Sequence, residues 1–198
     1  MNTLDHLFEN NKEWAQSITK EDPGFFQRLS KLQSPELLWI GCSDSRVPAN
    51  QITRLAPGEI FVHRNIANLV VHTDLNCLSV IQYAVDILKI KHIIICGHYE
   101  CGGIKAALDD RDYGLIDNWL GYIKDVARLH SEELSKLEGV EKQSRLCELN
   151  VIEQVSNLRN TTIVKNAWLG GADLSIHGWI YNIGNGILKD IVNVPSEG

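Results

Sequence analysis

The apolar positions of the chain fall into short strand-like runs that are separated by longer stretches with helical spacing. The short runs are residues 37–40, 59–63, 92–96 and 174–183. The first of them is continuously apolar, which is typical of a strand buried on both faces. Turn residues at 182–186 follow the last run and lead into residues 187–192, so this end of the chain is predicted to form a β-hairpin.

Helical spacing predicts the remaining elements. They are residues 4–18 with Thr3 as the N-cap, 25–32, 74–88, 102–108, 117–158 with a break near Gly139, and a helix that Thr161 or Thr162 caps and that runs through 168. Strands separated by helices predict crossover connections and a mostly parallel sheet. We therefore expect an α/β fold, with a mostly parallel central sheet, an antiparallel edge strand, flanking helices and an N-terminal helical arm. No seam interrupts the 198 residues, so a single domain over 1–198 is expected, with 1–34 as the arm.

The composition narrows the classes of partner. Hydrophobic residues make up 44% of the chain and charged residues 22%, which supports a buried core. The chain has 19 basic and 25 acidic residues, a net charge of −6, and this balance argues against a nucleic-acid partner or an anionic membrane. No apolar run approaches the ~20 residues of a membrane span, and residues 1–14 lack a signal-peptide core.

The cysteines indicate a reducing compartment. They are Cys42, Cys77, Cys96, Cys101 and Cys147. An odd number of widely spread cysteines in a chain of this length favours free thiols over a disulfide framework, so we expect a cytoplasmic protein. Cys77, Cys96 and Cys147 are interpreted as small buried hydrophobic residues.

Two strands end directly in loops that are rich in chemically active side chains. Cys42, Asp44 and Arg46 follow the first strand at a spacing of two, which points them to one side of an extended segment. His98 and Cys101 follow the strand at 92–96, and sites in open α/β sheets form beyond the carboxyl ends of strands. If the two strand ends are neighbours, two thiolates, an imidazole and the Asp44 carboxylate converge as a ligand set suited to zinc. We expect one zinc ion per chain.

Asp44 has two possible partners. It can serve as a fourth zinc ligand, or it can form a bidentate ion pair with Arg46. In the second case zinc keeps three protein ligands and an open position, which is what distinguishes a catalytic from a structural zinc site.

Four segments resemble the β-class carbonic anhydrases. They are CSDSRVP at 42–48, FVHRNIAN at 61–68, SVIQYAV at 79–85 and CGHYECGG at 96–103. The resemblance covers nearly the whole chain and implies zinc-dependent, reversible hydration of carbon dioxide to bicarbonate and a proton. It implies Cys42, His98 and Cys101 as constant zinc ligands, with Asp44 and Arg46 as a catalytic dyad. Glu100 is a departure, because relatives often carry a small residue at this position, and it adds negative charge near the metal.

The resemblance also implies self-association. Family members are dimers or assemblies of dimers, so the arm at 1–34 is expected to pack on the partner subunit. The positions that line the carbon dioxide pocket in the family are occupied here by Gln33, Phe61, Ile66 and Tyr83. Some of these residues are expected to come from the neighbouring subunit.

A bacterial, allosteric subgroup is similar in one further respect. Its members bind bicarbonate at a second, non-catalytic site and let the counterpart of Asp44 occupy the metal. Trp39, Arg64 and Tyr181 stand at the matching positions, and a guanidinium with two neutral donors suits a small anion. The resemblance therefore implies inhibition by bicarbonate and by low pH. Core packing of Trp39 and Tyr181 is the alternative.

Two other functions fit the same motifs. One is a non-catalytic, zinc-stabilised binding or regulatory protein, against which the intact Asp44–Arg46 pair argues. The other is an enzyme on the same scaffold that hydrolyses a sulfur analogue of carbon dioxide.

Overall fold

The computed structural model describes residues 3–31 and 33–196, so the outermost residues of the expected domain and Leu32 lie outside the described residues. The chain divides into two compact units, residues 1–34 and residues 35–198. The boundary coincides with the end of the helical arm that the sequence predicts.

The first unit consists of helix α1, Asp5–Glu21, and helix α2, Phe25–Leu29. Leu4 rather than Thr3 is the N-cap of α1 and makes no side-chain cap, so the predicted Thr3 cap is wrong. Trp14 packs edge-on against Phe26, with ring centroids 5.6 Å apart. No residue of α1 is buried within the chain. Three large apolar side chains of α1 and the one at its N-cap are more than 40% exposed: Leu7, Phe8, Trp14 and Leu4.

A five-stranded sheet organises the second unit. Its strands are β1 Leu37–Cys42, β2 Ile60–Asn65, β3 His92–His98, β4 Ser175–Asn182 and β5 Ile187–Val194. Their order is β2-β1-β3-β4-β5, with every neighbouring pair parallel except the antiparallel hairpin of β4 and β5. The α/β fold, the parallel sheet and the antiparallel edge strand predicted from sequence are confirmed.

The helices of the second unit follow the predicted order. They are α3 Ala49–Thr53, α4 Leu75–Gln82, α5 Gly102–Ala107, α6 Ile116–Leu129, α7 Ser131–Leu134, α8 Gly139–Arg159 and α9 Thr162–Leu169. Thr161 caps α9 through its side chain, as expected. Two elements were not predicted: α3 and a 3-10 turn at Ile66–Asn68, whereas the helix predicted over 74–88 is present as α4 and a π-helical turn at Tyr83–Ile87 that continues it. Each unpredicted element is a single turn or little more, too short for apolar spacing to reveal.

Both faces of the sheet are covered, which explains the continuous apolar runs. Ile93 and Ile95 of β3 belong to the main core beneath α8, whereas Ile94 and Cys96 belong to a smaller cluster on the opposite face. Within the described part of the chain, no helix combines the length and apolar character of a membrane span.

Candidate metal centre

The carboxyl ends of β1 and β3 meet at one edge of the sheet. The two strands pair in parallel with Gly41 opposite Cys96, so the loops that follow them are neighbours. The ligand atoms of Cys42, His98 and Cys101 all lie within 4.8 Å of one another, and all three residues are buried. We call these three residues the strand-end site. The convergence expected from the two loops is therefore present.

The thiols of the strand-end site are spaced as a tetrahedral metal requires. Cys42 Sγ and Cys101 Sγ lie 3.9 Å apart, and all five cysteines of the chain are free. Two zinc–sulfur bonds of about 2.3 Å at a tetrahedral angle span about 3.8 Å. The pair thus fits one zinc ion without rearrangement of the two strand ends.

His98 has one ring nitrogen satisfied and the other unsatisfied. Its Nδ1 lies 2.9 Å from the backbone carbonyl of Tyr99, an arrangement in which Nδ1–H donates and Nε2 carries the lone pair. Nε2 is buried and has no hydrogen-bond partner among the described residues. A buried ring nitrogen without a partner is costly unless a metal or proton donor occupies the position it faces, and the two thiols lie beside it. The donor set, two thiols and one imidazole, therefore fits zinc.

The two thiols titrate as a pair. A hydrogen bond joins Cys42 Sγ and Cys101 Sγ, and this bond, together with the backbone N–H of Asp44, lowers the pKa of Cys42 to about 4. The same hydrogen bond and burial raise the pKa of Cys101, because a second thiolate next to the first is unfavourable without a cation. A divalent ion between the sulfur atoms removes that repulsion.

Asp44 pairs with Arg46 at the rim of the strand-end site. Arg46 donates from Nε to Asp44 Oδ1 at 3.0 Å and from Nη2 to Oδ2 at 2.7 Å, and its backbone N–H donates to Oδ1 at 2.9 Å. These bonds hold the pKa of Asp44 well below its usual range. Asp44 Oδ2 also lies 3.8 Å from His98 Nε2. The carboxylate is thus turned towards Arg46 while it remains next to the strand-end site.

Glu100 lies next to the Arg46 guanidinium. Its carboxylate lies 3.9 Å from Arg46 Nη1, and its backbone carbonyl accepts from Arg46 Nη2 at 3.3 Å. Glu100 itself has a left-handed backbone, with φ of 60°. A glycine would adopt this conformation more readily, so the charged side chain is retained at a conformational cost.

The four residues expected in the substrate pocket fall into separate places. The rings of Phe61 and Tyr83 are in contact, with centroids 5.8 Å apart. Ile66 lies in the 3-10 turn, where its side chain would be 2.9 Å from a Cβ added at Gly103, next to α5. Gln33 belongs to the N-terminal unit, and its part in the pocket stays a prediction.

Trp39, Arg64 and Tyr181 lie on one face of the sheet, with Trp39 in the middle of β1 and the other two near the carboxyl ends of β2 and β4. Trp39 and Tyr181 belong to the smaller apolar cluster and are 1% and 9% exposed. Trp39 folds over Gly41, where an added Cβ would collide with Trp39 Nε1, and Arg64 is the residue opposite Gly41 in β2. Arg64 donates to the backbone carbonyls of Cys42, at 2.8 Å, and Asp44.

A second group of potential metal ligands was missed by the sequence analysis. His63, Asp74 and Cys77 have ligand atoms within 4.8 Å of one another; we call them the helix-cap cluster. Asp74 caps α4 by accepting from the Asn76 N–H at 3.0 Å, and Cys77 lies one turn along that helix. The spacing of Asp74 and Cys77 was a signal available in the sequence, but only the fold brings His63 to them.

The comparisons with known proteins concern almost the entire chain. A family profile described as carbonic anhydrase matches residues 37–188. A carbonic anhydrase from Emericella nidulans is 50% identical over 190 residues, which cover 96% of this chain and 83% of that protein. A solved Coccomyxa β-carbonic anhydrase in complex with acetazolamide is similar with a TM-score of 0.95 and 40% identity, over 99% of this chain and 90% of that one. A tetrameric β-carbonic anhydrase from Sordaria macrospora is similar with a TM-score of 0.93 and 41% identity, over 98% and 100% of the two chains.

Proposed function

The chain belongs to the β-class carbonic anhydrase family, and from this premise we propose that Cys42, His98 and Cys101 bind one zinc ion and that the site hydrates carbon dioxide reversibly to bicarbonate and a proton. The observation that carries the proposal is the buried, unpartnered Nε2 of His98 beside a thiol pair with the spacing of zinc ligands. When bound, zinc supplies a Lewis acid that brings the pKa of water towards about 7.

In this proposal Asp44 is an acceptor that orients the attacking oxygen. The three hydrogen bonds from Arg46 keep Asp44 ionised at any physiological pH and fix both of its oxygens. Asp44 then accepts a hydrogen bond from the oxygen nucleophile and directs a lone pair towards the substrate carbon. Arg46 acts by holding Asp44, so it is a positioning residue.

The Asp44–Arg46 pair also bears on whether the protein is an enzyme or a non-catalytic, zinc-stabilised protein. A purely structural zinc site closes its fourth position with a protein ligand. Here the nearest carboxylate is engaged by Arg46, which leaves three protein donors in the strand-end site. This arrangement supports an enzyme with an open position over a zinc-stabilised binding or regulatory protein.

Stopped-flow measurement of carbon dioxide hydration on zinc-replete protein tests the proposal. We expect rapid hydration that disappears when zinc is removed and returns when zinc is restored. The same preparation assayed with carbonyl sulfide or carbon disulfide tests the remaining alternative. Turnover of the sulfur analogue without carbon dioxide hydration would contradict the proposed substrate.

We further propose that the protein self-associates, as a dimer or an assembly of dimers, with residues 1–34 packed on a partner subunit. The exposed apolar side chains of α1 and its flank support this, because an amphipathic helix with no buried residue in its own chain needs cover. In that assembly Gln33, Phe61, Ile66 and Tyr83 line the carbon dioxide pocket. Sedimentation of the full chain and of Phe8→Glu tests this, since a charge at the 66% exposed Phe8 should weaken association.

The finer proposal concerns regulation by bicarbonate, as in the allosteric bacterial subgroup. In this proposal Trp39 and Tyr181, which belong to one apolar cluster on the same face of the sheet as Arg64, donate from Nε1 and Oη to the bound anion. Bicarbonate there would compete for the Arg64 guanidinium, which otherwise binds the carbonyls of Cys42 and Asp44. Release of those carbonyls would free the loop, and Asp44 would then exchange its ion pair with Arg46 for ligation of the zinc ion, which would inactivate the enzyme. A ligand that binds this second state more tightly shifts the population towards it.

Hydration rates across pH, with and without added bicarbonate, test the regulation. Activity should fall below about pH 8 more steeply than a single proton allows, and bicarbonate should inhibit beyond product competition. Trp39→Phe and Tyr181→Phe each remove one donor and should relieve the inhibition while leaving high-pH turnover intact. A one-proton profile with inhibition unchanged in both variants would leave Trp39 and Tyr181 as core residues.

The compartment is proposed to be the cytoplasm. All five cysteines are free and buried, which supports a reducing compartment. Fractionation of cells that express a tagged chain tests this placement.

A further inference from the structure

The loop from His98 to Cys101, which carries two of the proposed zinc ligands, is bonded to the sheet and to helix α8. The backbone N–H of Tyr99 donates to the carbonyl of Tyr181 in β4 at 3.0 Å. Gln143 of α8 donates from Nε2 to the carbonyl of Cys101 at 3.4 Å. Both ends of the loop are therefore held by elements that are distant in sequence.

A half-buried carboxylate of α8 fixes the side chain of Tyr99. Tyr99 Oη donates to Glu148 Oε1 at 2.6 Å, and the ring packs against the main core. Arg145 Nη1 donates to Glu148 Oε2 at 2.9 Å, and Lys189 Nζ donates to Oε1 at 3.5 Å. The Glu148 side chain is 17% exposed. Charge-assisted bonds to both oxygens of a shielded carboxylate are strong, so Glu148 offers Tyr99 an acceptor at a fixed place.

The carbonyl of Tyr99 is the group that orients His98. His98 Nδ1–H donates to this carbonyl at 2.9 Å, which leaves the lone pair on Nε2 and fixes the plane of the ring. The peptide that contains the carbonyl leads into Glu100, whose left-handed backbone is unfavourable for a residue with a Cβ. Neighbouring contacts therefore have to maintain the direction of this peptide.

The bonds to Tyr99 supply those contacts. Its N–H is fixed by β4 and its hydroxyl by Glu148, so the residue is held on both sides of its Cα. Without the hydroxyl bond, Tyr99 could rotate while Glu100 relaxes to a negative φ. The carbonyl would then turn away from His98 Nδ1.

We propose that Tyr99 and Glu148 form a positioning pair for the metal centre: Glu148 holds the Tyr99 side chain, and Tyr99 thereby keeps its carbonyl on His98 Nδ1. The pair connects α8 to the imidazole ligand, and Arg145 and Lys189 keep Glu148 in place. This role rests on the proposed zinc ligation by His98.

The test compares Tyr99→Phe with Tyr113→Phe. Tyr113 lies in the loop before α6, and its hydroxyl also donates to a carboxylate, Asp109 Oδ2, at 3.0 Å. Zinc affinity is measured by competition with a chelator, and folding stability is measured on the zinc-free proteins. Loss of an outer-shell partner weakens metal binding about 10–100-fold. Since the hydroxyl acts one bond further out, Tyr99→Phe should bind zinc about 10-fold more weakly, whereas Tyr113→Phe keeps the parental affinity.

Substitutions of Glu148 distinguish the hydrogen bond from general packing. Glu148→Gln retains an oxygen that accepts from Tyr99, so it should keep most of the zinc affinity, whereas Glu148→Ala should weaken binding as much as Tyr99→Phe. The double variant of Tyr99→Phe and Glu148→Ala should bind zinc no more weakly than Glu148→Ala alone, because both changes remove the same bond.

Cobalt substitution reports on the imidazole directly. The ligand-field bands of the cobalt-substituted protein should shift in Tyr99→Phe and stay parental in Tyr113→Phe, because only the first variant changes the orientation of His98. A change confined to folding stability would leave these bands in place.

Parental zinc affinity and unshifted bands in Tyr99→Phe would overturn the proposal. If that variant does not fold, the two Glu148 variants decide: equal affinities of Glu148→Gln and Glu148→Ala overturn the proposal, and a weaker affinity of Glu148→Ala alone supports it. A parent chain that binds no zinc would instead contradict the proposed function, so the two failures are distinguishable.

Discussion

The strand-end site and the helix-cap cluster both combine an imidazole with a thiol, and they differ in what else their donor atoms bind. In the helix-cap cluster, Asp74 accepts from a backbone N–H at the start of α4, and Cys77 Sγ lies 4.0 Å from the carbonyl of Leu69. His63 Nε2 lies 3.4 Å from the side-chain amide of Asn65. In the strand-end site, by contrast, Nε2 of His98 has no partner in the described chain.

The surroundings of Cys42 and Cys77 shift the pKa values of these two thiols in opposite directions. Burial raises the pKa of Cys77 to about 12, whereas hydrogen-bond donors lower the pKa of Cys42 to about 4. Metal ligation requires the thiolate. Ligand types alone therefore do not make a metal site: the donors must be ionisable and must not already be used by the fold.

The largest expected effect is on metal content. Cys42→Ser and Cys101→Ser should each lose bound zinc and activity together, because a hydroxyl is a poor substitute for a thiolate ligand. Cys77→Ser is the matched control and should keep about one zinc per chain with parental activity. Elemental analysis of the purified proteins checks this. Full zinc content in both strand-end variants, or zinc loss in Cys77→Ser, would contradict the assignment of zinc to the strand-end site and not to the helix-cap cluster.

The next largest effect distinguishes the carboxylate of Asp44, at the rim of the strand-end site, from that of Asp74 in the helix-cap cluster. Asp44→Asn should lower carbon dioxide hydration about 100-fold with little change in stability, because an amide is a weaker acceptor and cannot form the ion pair with Arg46. Arg46→Ala should act in the same direction. Asp74→Ala should instead lose about 1 kcal/mol of stability, through its helix cap, and keep its turnover.

Stopped-flow assays and denaturant unfolding of the same preparations check these expectations. Parental hydration by Arg46→Ala would show that Asp44 does not need its partner. An inactive Asp74→Ala that retains parental stability would place catalytic function in the helix-cap cluster.

A smaller effect is expected on thiol reactivity in the zinc-free protein. At pH 7 iodoacetamide should modify Cys42 faster than Cys77, because hydrogen bonds to Cys42 Sγ favour its thiolate whereas burial disfavours the thiolate of Cys77. Bound zinc should protect Cys42 and leave the rate at Cys77 unchanged. Mass spectrometry of the alkylated peptides measures both rates. Equal rates in the zinc-free protein would show that Cys42 and Cys77 do not differ in thiol reactivity.

The smallest effect is on the pH dependence of stability. Burial lowers the pKa of His63, with Asp74 opposing the shift, so the folded state takes up this proton less readily than the unfolded chain, whose value is 6.5. The contribution of neutral His63 is complete above that value and is lost as the pH falls through 6.5 towards the lower folded pKa.

Replacement of His63 tests this dependence. The stability difference between the parent and His63→Gln should shrink between pH 7.5 and 5, as urea unfolding at each pH would reveal. The pKa of Asp44 is lowered from 3.8, so the Asp44–Arg46 pair loses its contribution only in stronger acid. A difference that grows on acidification would mean that His63 is charged in the folded state.

Much of the fold was predictable because local pattern and tertiary burial agree in the central strands. The continuous apolar run of Ile93, Ile94 and Ile95 predicts a buried strand, and in the structure these side chains are buried on alternate faces of the sheet. The N-terminus of α1 was not predictable from Thr3, since a capping residue one position too early has no orphan N–H within reach. The turn at Ile66–Asn68 escaped prediction because its left-handed residues are not glycines.

The sequence by itself determined which ligands the protein has and at which strand ends they lie, because parallel strands deliver their following loops to one edge of a sheet. Only the tertiary structure decided which donors remain unsatisfied. Glu148 meets Tyr99 across 49 residues, and His63 meets Asp74 and Cys77 only after β2 and α4 are packed together. Hydrogen bonds over such separations depend on side-chain orientation in the folded core, which no local pattern encodes. The distinction between a zinc ligand and a satisfied core residue is therefore a property of the fold.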